Sequence, residues 1–151
     1  MRESDFIRAC NEDRKRYIAR PHDEIAATEV TPGSLSRLIA GENLMISFLT
    51  MKAGSTFELH SHSQEQIMIV VEGYCDELIE NKMYRVEKGD VIYLPANIKH
   101  GAFIRDTDCL AIDIFSPPRD DYKRKYREQN RGKVLHFIRR DEQGIEKGVA
   151  Q

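Results

Sequence analysis

The sequence has little that marks a secreted, membrane-bound or disulfide-stapled protein. Its start, Met1-Arg2-Glu3-Ser4-Asp5, is polar, with no apolar stretch of the kind a signal peptide requires. The longest uncharged apolar run, Leu44 to Met51, is far too short to cross a bilayer. A cytoplasmic location without membrane partners is therefore expected. Three cysteines (Cys10, Cys75, Cys109) lie far apart with no CxxC spacing. That pattern argues against a disulfide framework and against a cysteine zinc site, leaving small hydrophobes or surface thiols. Charge of one sign is also missing: 23 Lys and Arg against 25 Asp and Glu leave a formal net charge of −2, which does not suggest a nucleic-acid partner. There is no internal repeat and no low-complexity segment. Nor is there room for a three-helix DNA-binding unit in the roughly thirty residues ahead of the β-rich region.

What is present fits one soluble domain. The chain has 151 residues, 40% hydrophobic and 32% charged, enough to bury a real core. Loose helical spacing of Phe6, Ile7, Cys10, Tyr17 and Ile18, stopped by Arg20-Pro21, predicts a helix over 4–19. From Thr31-Pro32-Gly33 onward, short β-branched and apolar segments alternate with turn residues. Strands are predicted at 35–39, 44–51, 55–62, 66–71, 74–80, 83–87, 91–94, 101–105 and 110–115, with a tight hairpin tip at Asn81-Lys82. Many short strands at such intervals mean an all-β sandwich or closed barrel. Ser116-Pro117-Pro118 ends the pattern. A charged helix over about 120–130 and a short strand at 134–138 follow. The organisation predicted is an N-terminal helix and lead-in (1–30), a barrel (31–118) and a charged C-terminal extension (119–151). From Arg119 to Arg140 nine Lys or Arg face three acids, which reads best as a solvated helix face.

The chemistry concentrates in two stretches. In the first, Gly54 to Gln66, His60 and His62 alternate along a predicted strand, so both point to one face and present nitrogens to a common point, as a first-row divalent ion requires. Gln66 shares their parity if the strand continues through the turn. Glu65 would then face outward, and becomes a ligand only if the strand bulges. In the second, Gly89 allows a tight turn, Pro95 ends a strand and His100 opens the next. These positions hold three of the chain's five histidines.

Those residues resemble the cupin family. Gly54, His60, His62, Gln66 and Gly73 meet the spacing of its first motif throughout, and Gly89, Pro95 and His100 that of its second. Asn97 stands where the second motif has glycine, a mild change because Asn tolerates the left-handed conformation, and Ile104 stands where it has asparagine. The resemblance covers about residues 35–118. It implies an all-β, cupin-type double-stranded β-helix (a jelly-roll barrel) holding one divalent transition metal ion (zinc, nickel, iron or manganese) on His60, His62, Gln66 and His100. Some cupins have lost the metal and keep only the barrel. Four neutral ligands would leave the ion's +2 charge uncompensated, sharpening its Lewis acidity and its pull on anions.

A narrower resemblance joins His60-Ser-His-Ser-Gln-Glu-Gln66 to Asp113-Ile-Phe-Ser-Pro-Pro-Arg119. Both runs look like the small single-domain cupins of the pectin-degradation type, which convert unsaturated monouronates into linear keto sugars. The resemblance implies catalytic roles for Asp113, Phe115 and Arg119. Arg119 could fork onto a uronate carboxylate and Asp113 serve as general acid or base, or Asp113 and Arg119 could form a structural pair with Phe115 in the core. Glu58, Arg37 and Met68 are further candidates for lining the pocket. Three functions follow as alternatives: an isomerising or ring-opening enzyme on a small acidic sugar, an iron- or manganese-dependent oxygenase or decarboxylase, and a non-catalytic sugar-acid-binding module. A homodimer is expected from the open sheet edge.

Overall fold

A computed structural model describes residues 1–133 and Leu135; the strand expected at 134–138, Leu135 apart, lies outside the described residues. In chain order the elements are a 3₁₀ turn (Glu3–Asp5), α1 (Asn11–Lys15), α2 (Pro21–Glu24), β1 (Ala27–Thr31), β2 (Ser34–Ala40), β3 (Met45–Met51), β4 (Thr56–His60), β5 (Glu65–Glu72), β6 (Tyr74–Ile79), β7 (Lys82–Glu87), β8 (Val91–Leu94), β9 (His100–Ile104), β10 (Cys109–Ser116) and α3 (Asp120–Gln129). Every expected strand within 35–115 forms. β1 is additional.

The strands make two antiparallel sheets. One has the order β1-β2-β3-β10-β5-β8, the other β4-β9-β6-β7. Period-2 burial is regular in β3 and β10, where every second side chain is buried. Leu38, Met45, Met51, Val70, Leu94 and Phe115 fill the interior between the sheets. Cys75 and Cys109 belong to this core and Cys10 is exposed, all three as free thiols, as their scatter implied.

The N-terminal segment is helical only in short pieces rather than one run over 4–19. Its apolar residues find no core: Phe6, Ile7, Tyr17 and Ile18 are all more than half exposed. A helix of that length without a buried face is marginal in water, which accounts for the break. The hairpin tip is Glu80-Asn81 rather than Asn81-Lys82, because Lys82 already pairs with Ile79 and Glu80 takes the left-handed turn at φ +55°.

α3 is amphipathic. Its Tyr122 and Tyr126 enter the core, while Arg124 and Arg127 stay in solvent. The helix also covers the free edge of β1. Gln129 Nε2 donates to Glu29 O and Gln129 Oε1 accepts from Glu29 N, both at 2.8 Å, and Lys125 Nζ donates to Val30 O. A covered edge cannot template pairing with another chain.

Candidate metal centre and adjoining pocket

His60 is the last residue of β4 and sits directly opposite His100, the first of β9, with ring centroids 4.4 Å apart. The approach of the two strands depends on Gly101. A Cβ there would lie 2.6 Å from Phe57 O, so any side chain would push β4 away from β9. His62 comes from the connection after β4, because the strand ends at His60. Its place is set by backbone instead: Asn97 N donates to His62 O at 2.7 Å. Asn97 has φ +65°, the left-handed conformation its replacement of glycine calls for. Gln66 arrives from the opposite sheet on β5, opposite Phe115 of β10. The strand-parity argument for His62 and Gln66 therefore fails in its route, although both side chains reach the same place.

The three imidazoles form a cluster able to hold a metal ion, with one ring nitrogen from each lying within 4.8 Å of the others. Their tautomers follow from their neighbours. Nδ1 of His60 lies 2.8 Å from Glu58 O, Nδ1 of His62 3.0 Å from Gln64 O, and Nδ1 of His100 3.0 Å from Ile98 O. A carbonyl only accepts, so each Nδ1 carries the proton and each Nε2 keeps its lone pair. Burial holds all three below the usual histidine range, His100 down to about 4, with the backbone carbonyls opposing. Neutral imidazole is the ligating form.

Gln66 completes a test of whether this donor set fits a cation. Its Nε2 donates to Asp113 Oδ1 at 2.8 Å, which turns Oε1 toward His62 Nε2 at 3.1 Å. Two acceptors then face each other with no proton between them. A bound cation resolves that repulsion, and three Nε2 atoms with one amide oxygen suit a first-row divalent ion. Glu65 points away and accepts from Tyr93 Oη at 2.9 Å.

The residues named with Asp113 line the same space without forming the pair with Arg119. Asp113 is buried on β10 and holds Gln66; burial pushes its carboxyl up to about 6, against the Gln66 hydrogen bond and the Arg119 charge. Arg119, also buried, is held by Asp121 through Nε at 3.1 Å and Nη2 at 2.6 Å. Its guanidinium lies 3.9 Å from the Tyr122 ring centroid and 5.2 Å from that of Phe115. Two of its five N–H groups are used by Asp121, so a second carboxylate can still be bound.

An inner cavity of about 30 Å³ touches His60, Gln66, His100 and Asp113, together with Met68 and Glu77. An outer one of about 190 Å³ touches Glu58, His60, Arg119, Tyr122 and Lys125. Arg37 is turned elsewhere, donating to Ile25 O. Sequence reasoning missed Glu77, Asp121, Tyr122 and Lys125. Glu77 has the inward parity of Cys75 on β6, but Asp76 beside it is buried as well, which hides the alternation.

Comparison with known proteins agrees with this architecture. The family described as Cupin domain matches residues 47–115. The structure of KdgF from a Halomonas species is 31% identical, covers 68% of this chain and 94% of its own, and superposes with a TM-score of 0.63. An RmlC-like cupin from Shewanella frigidimarina is 23% identical, covers 70% of this chain and 95% of its own, with a TM-score of 0.65. An uncharacterised Streptomyces coelicolor protein is 26% identical over 97 residues, 64% of this chain and 92% of that one. With the two linked motifs, the double-sheet barrel and the histidine cluster in place, this chain belongs to the cupin family.

Proposed function

We propose that this cupin is a metal-dependent enzyme that opens and tautomerises a small acidic sugar, an unsaturated monouronate. The observation that carries the reading is the linked set His62–Gln66–Asp113, of which Gln66 and Asp113 line one cavity together with the buried Arg119. The similarity to KdgF and the Asp-x-Phe-Ser-Pro-Pro-Arg run support the same substrate class.

His60, His62, His100 and Gln66 would hold one divalent ion. When bound, that ion supplies Lewis acidity to a substrate oxygen. The chain's own groups do the rest. Arg119 pairs with the uronate carboxylate through the N–H groups that Asp121 leaves free, and the faces of Phe115 and Tyr122 fix its plane. Asp113 accepts the Gln66 N–H at Oδ1 and uses Oδ2, which takes no hydrogen bond among the described residues, to receive the proton of the ring's hemiacetal hydroxyl. As that O–H breaks, a carbonyl forms on its carbon and the ring C–O bond opens. The ring oxygen leaves as an enolate, which becomes a ketone when the neighbouring carbon takes a proton. The net change is an isomerisation that consumes neither oxygen nor water.

The test follows the olefinic proton of an unsaturated monouronate by NMR, with an oxygen electrode in parallel. The reading predicts loss of that signal without oxygen uptake, abolished by a chelator and restored by added metal. For Arg119→Lys it predicts a KM raised about tenfold, the equivalent of one lost charge-assisted hydrogen bond. Stoichiometric oxygen uptake would favour an oxygenase, and binding without turnover a sugar-acid-binding module.

A further inference from the structure

Glu77 is the one acidic residue of the inner cavity that the reaction above does not use. It lies on β6 between Tyr84 of β7 and Ala102 of β9, and is only 4% exposed. No hydrogen bond reaches its carboxyl group among the described residues. The one fully sealed side-chain polar atom without a partner there is Ser34 Oγ, so the Glu77 oxygens open onto the cavity they line. The small Ala102, its partner on β9, lines the same cavity. A buried acid without a donor or a cation costs stability and is rarely kept for packing.

The two cavity acids have opposite surroundings. Asp113 accepts an N–H from Gln66 and feels Arg119, both of which favour its carboxylate. Glu77 has neither, and burial, with the charge of Asp113 added, pushes it up to about 8. Pairs of carboxyl groups held apart in this way divide into a base and an acid.

We propose that Glu77 is a second catalytic residue of this site, the acid that protonates the substrate carbon. The assignment rests on the uronate reading. In the step, the enolate electron pair forms the new C–H bond, the Glu77 O–H breaks, and a ketone and the Glu77 carboxylate result. The proton Asp113 took from the hydroxyl and the one Glu77 gave to carbon balance through solvent before the next turnover.

The test compares wild type with Glu77→Gln and Glu77→Met, each loaded with metal and assayed on the unsaturated monouronate. The prediction is metal stoichiometry equal to wild type, KM within about threefold, and kcat lower by about 10² to 10⁴ in both variants. Glu77→Met should also melt at a higher temperature than wild type, because it replaces an unpaired buried acid with an apolar chain; a structural role predicts a lower one. A kcat within about threefold of wild type in either folded variant would overturn the proposal. If wild type itself converts no unsaturated uronate, the functional reading fails separately. Glu77 is then judged by infrared difference spectra at neutral pH. A carboxylic C=O band present in wild type and absent in Glu77→Gln upholds a neutral acid facing the cavity, and its absence overturns it.

Discussion

Gln66 uses both ends of its amide: Oε1 turns to His62 and Nε2 donates to Asp113. A glutamate there would set two carboxylates against each other where a hydrogen bond now stands. For Gln66→Glu we predict a metal-free protein less stable by about 1.5–3 kcal/mol, read from urea melts with chelator present. Metal should reverse the sign, since the new carboxylate compensates part of the ion's charge, so the metal-induced rise in melting temperature should exceed that of wild type. At this scale the candidate ligands were legible as residue types because motif spacing names those directly. What they touch was not. Nothing in the spacing says that Asp113 holds Gln66 or that Asp121, two residues on, takes Arg119; both depend on where β10 ends and α3 begins.

Elements meet at the candidate metal centre through β4 and β9, and the fit has no slack at Gly101. For Gly101→Ala, with Phe57 O only 2.6 Å from the added carbon, we predict a loss of about 1–3 kcal/mol in folding stability. Metal affinity should fall with it, measured by competition with a chromophoric chelator, because His60 is carried away from His100. Elements were well predicted where alternation is long, as in β3 and β10, each buried at every second position. β1 escaped because Ala27-Thr-Glu-Val-Thr31 buries only Thr28 and Val30, too little for a period to show. Over 4–19 helix forms as predicted but in short pieces, because Phe6, Ile7, Tyr17 and Ile18 stay more than half exposed and give a longer helix no buried face. The position of His62 is a third kind of case: the residue was correctly read as facing the site, but a backbone hydrogen bond from Asn97, 35 positions away in sequence (97 − 62), places it there instead of strand parity.

Across the whole molecule, the second sheet is tied by Asp76, whose side chain is 7% exposed and accepts from Arg85 Nε at 2.6 Å and Arg105 Nε at 2.5 Å. The hydrogen bonds from these two arginines hold its carboxyl below the ordinary Asp range. Its contribution is therefore complete above the unfolded value of about 3.9 and is lost as pH falls from there through the lower folded value. Melting temperature should drop in that window more steeply for wild type than for Asp76→Asn, which should already be less stable at neutral pH. The outward face of the β5–β8 edge carries Ile67, Val91 and Tyr93. We propose that this face pairs in a homodimer; light scattering should give twice 17.5 kDa for wild type and a single chain for Val91→Lys. No helix among the described residues is long and apolar enough to cross a membrane. The central claim is a single ion held by His60, His62, His100 and Gln66, and elemental mass spectrometry of protein purified without chelator tests it most directly. The account predicts about one transition-metal ion per chain in wild type and its loss in His100→Ala. Negligible metal in wild type even after reconstitution, or full occupancy in the variant, would contradict it.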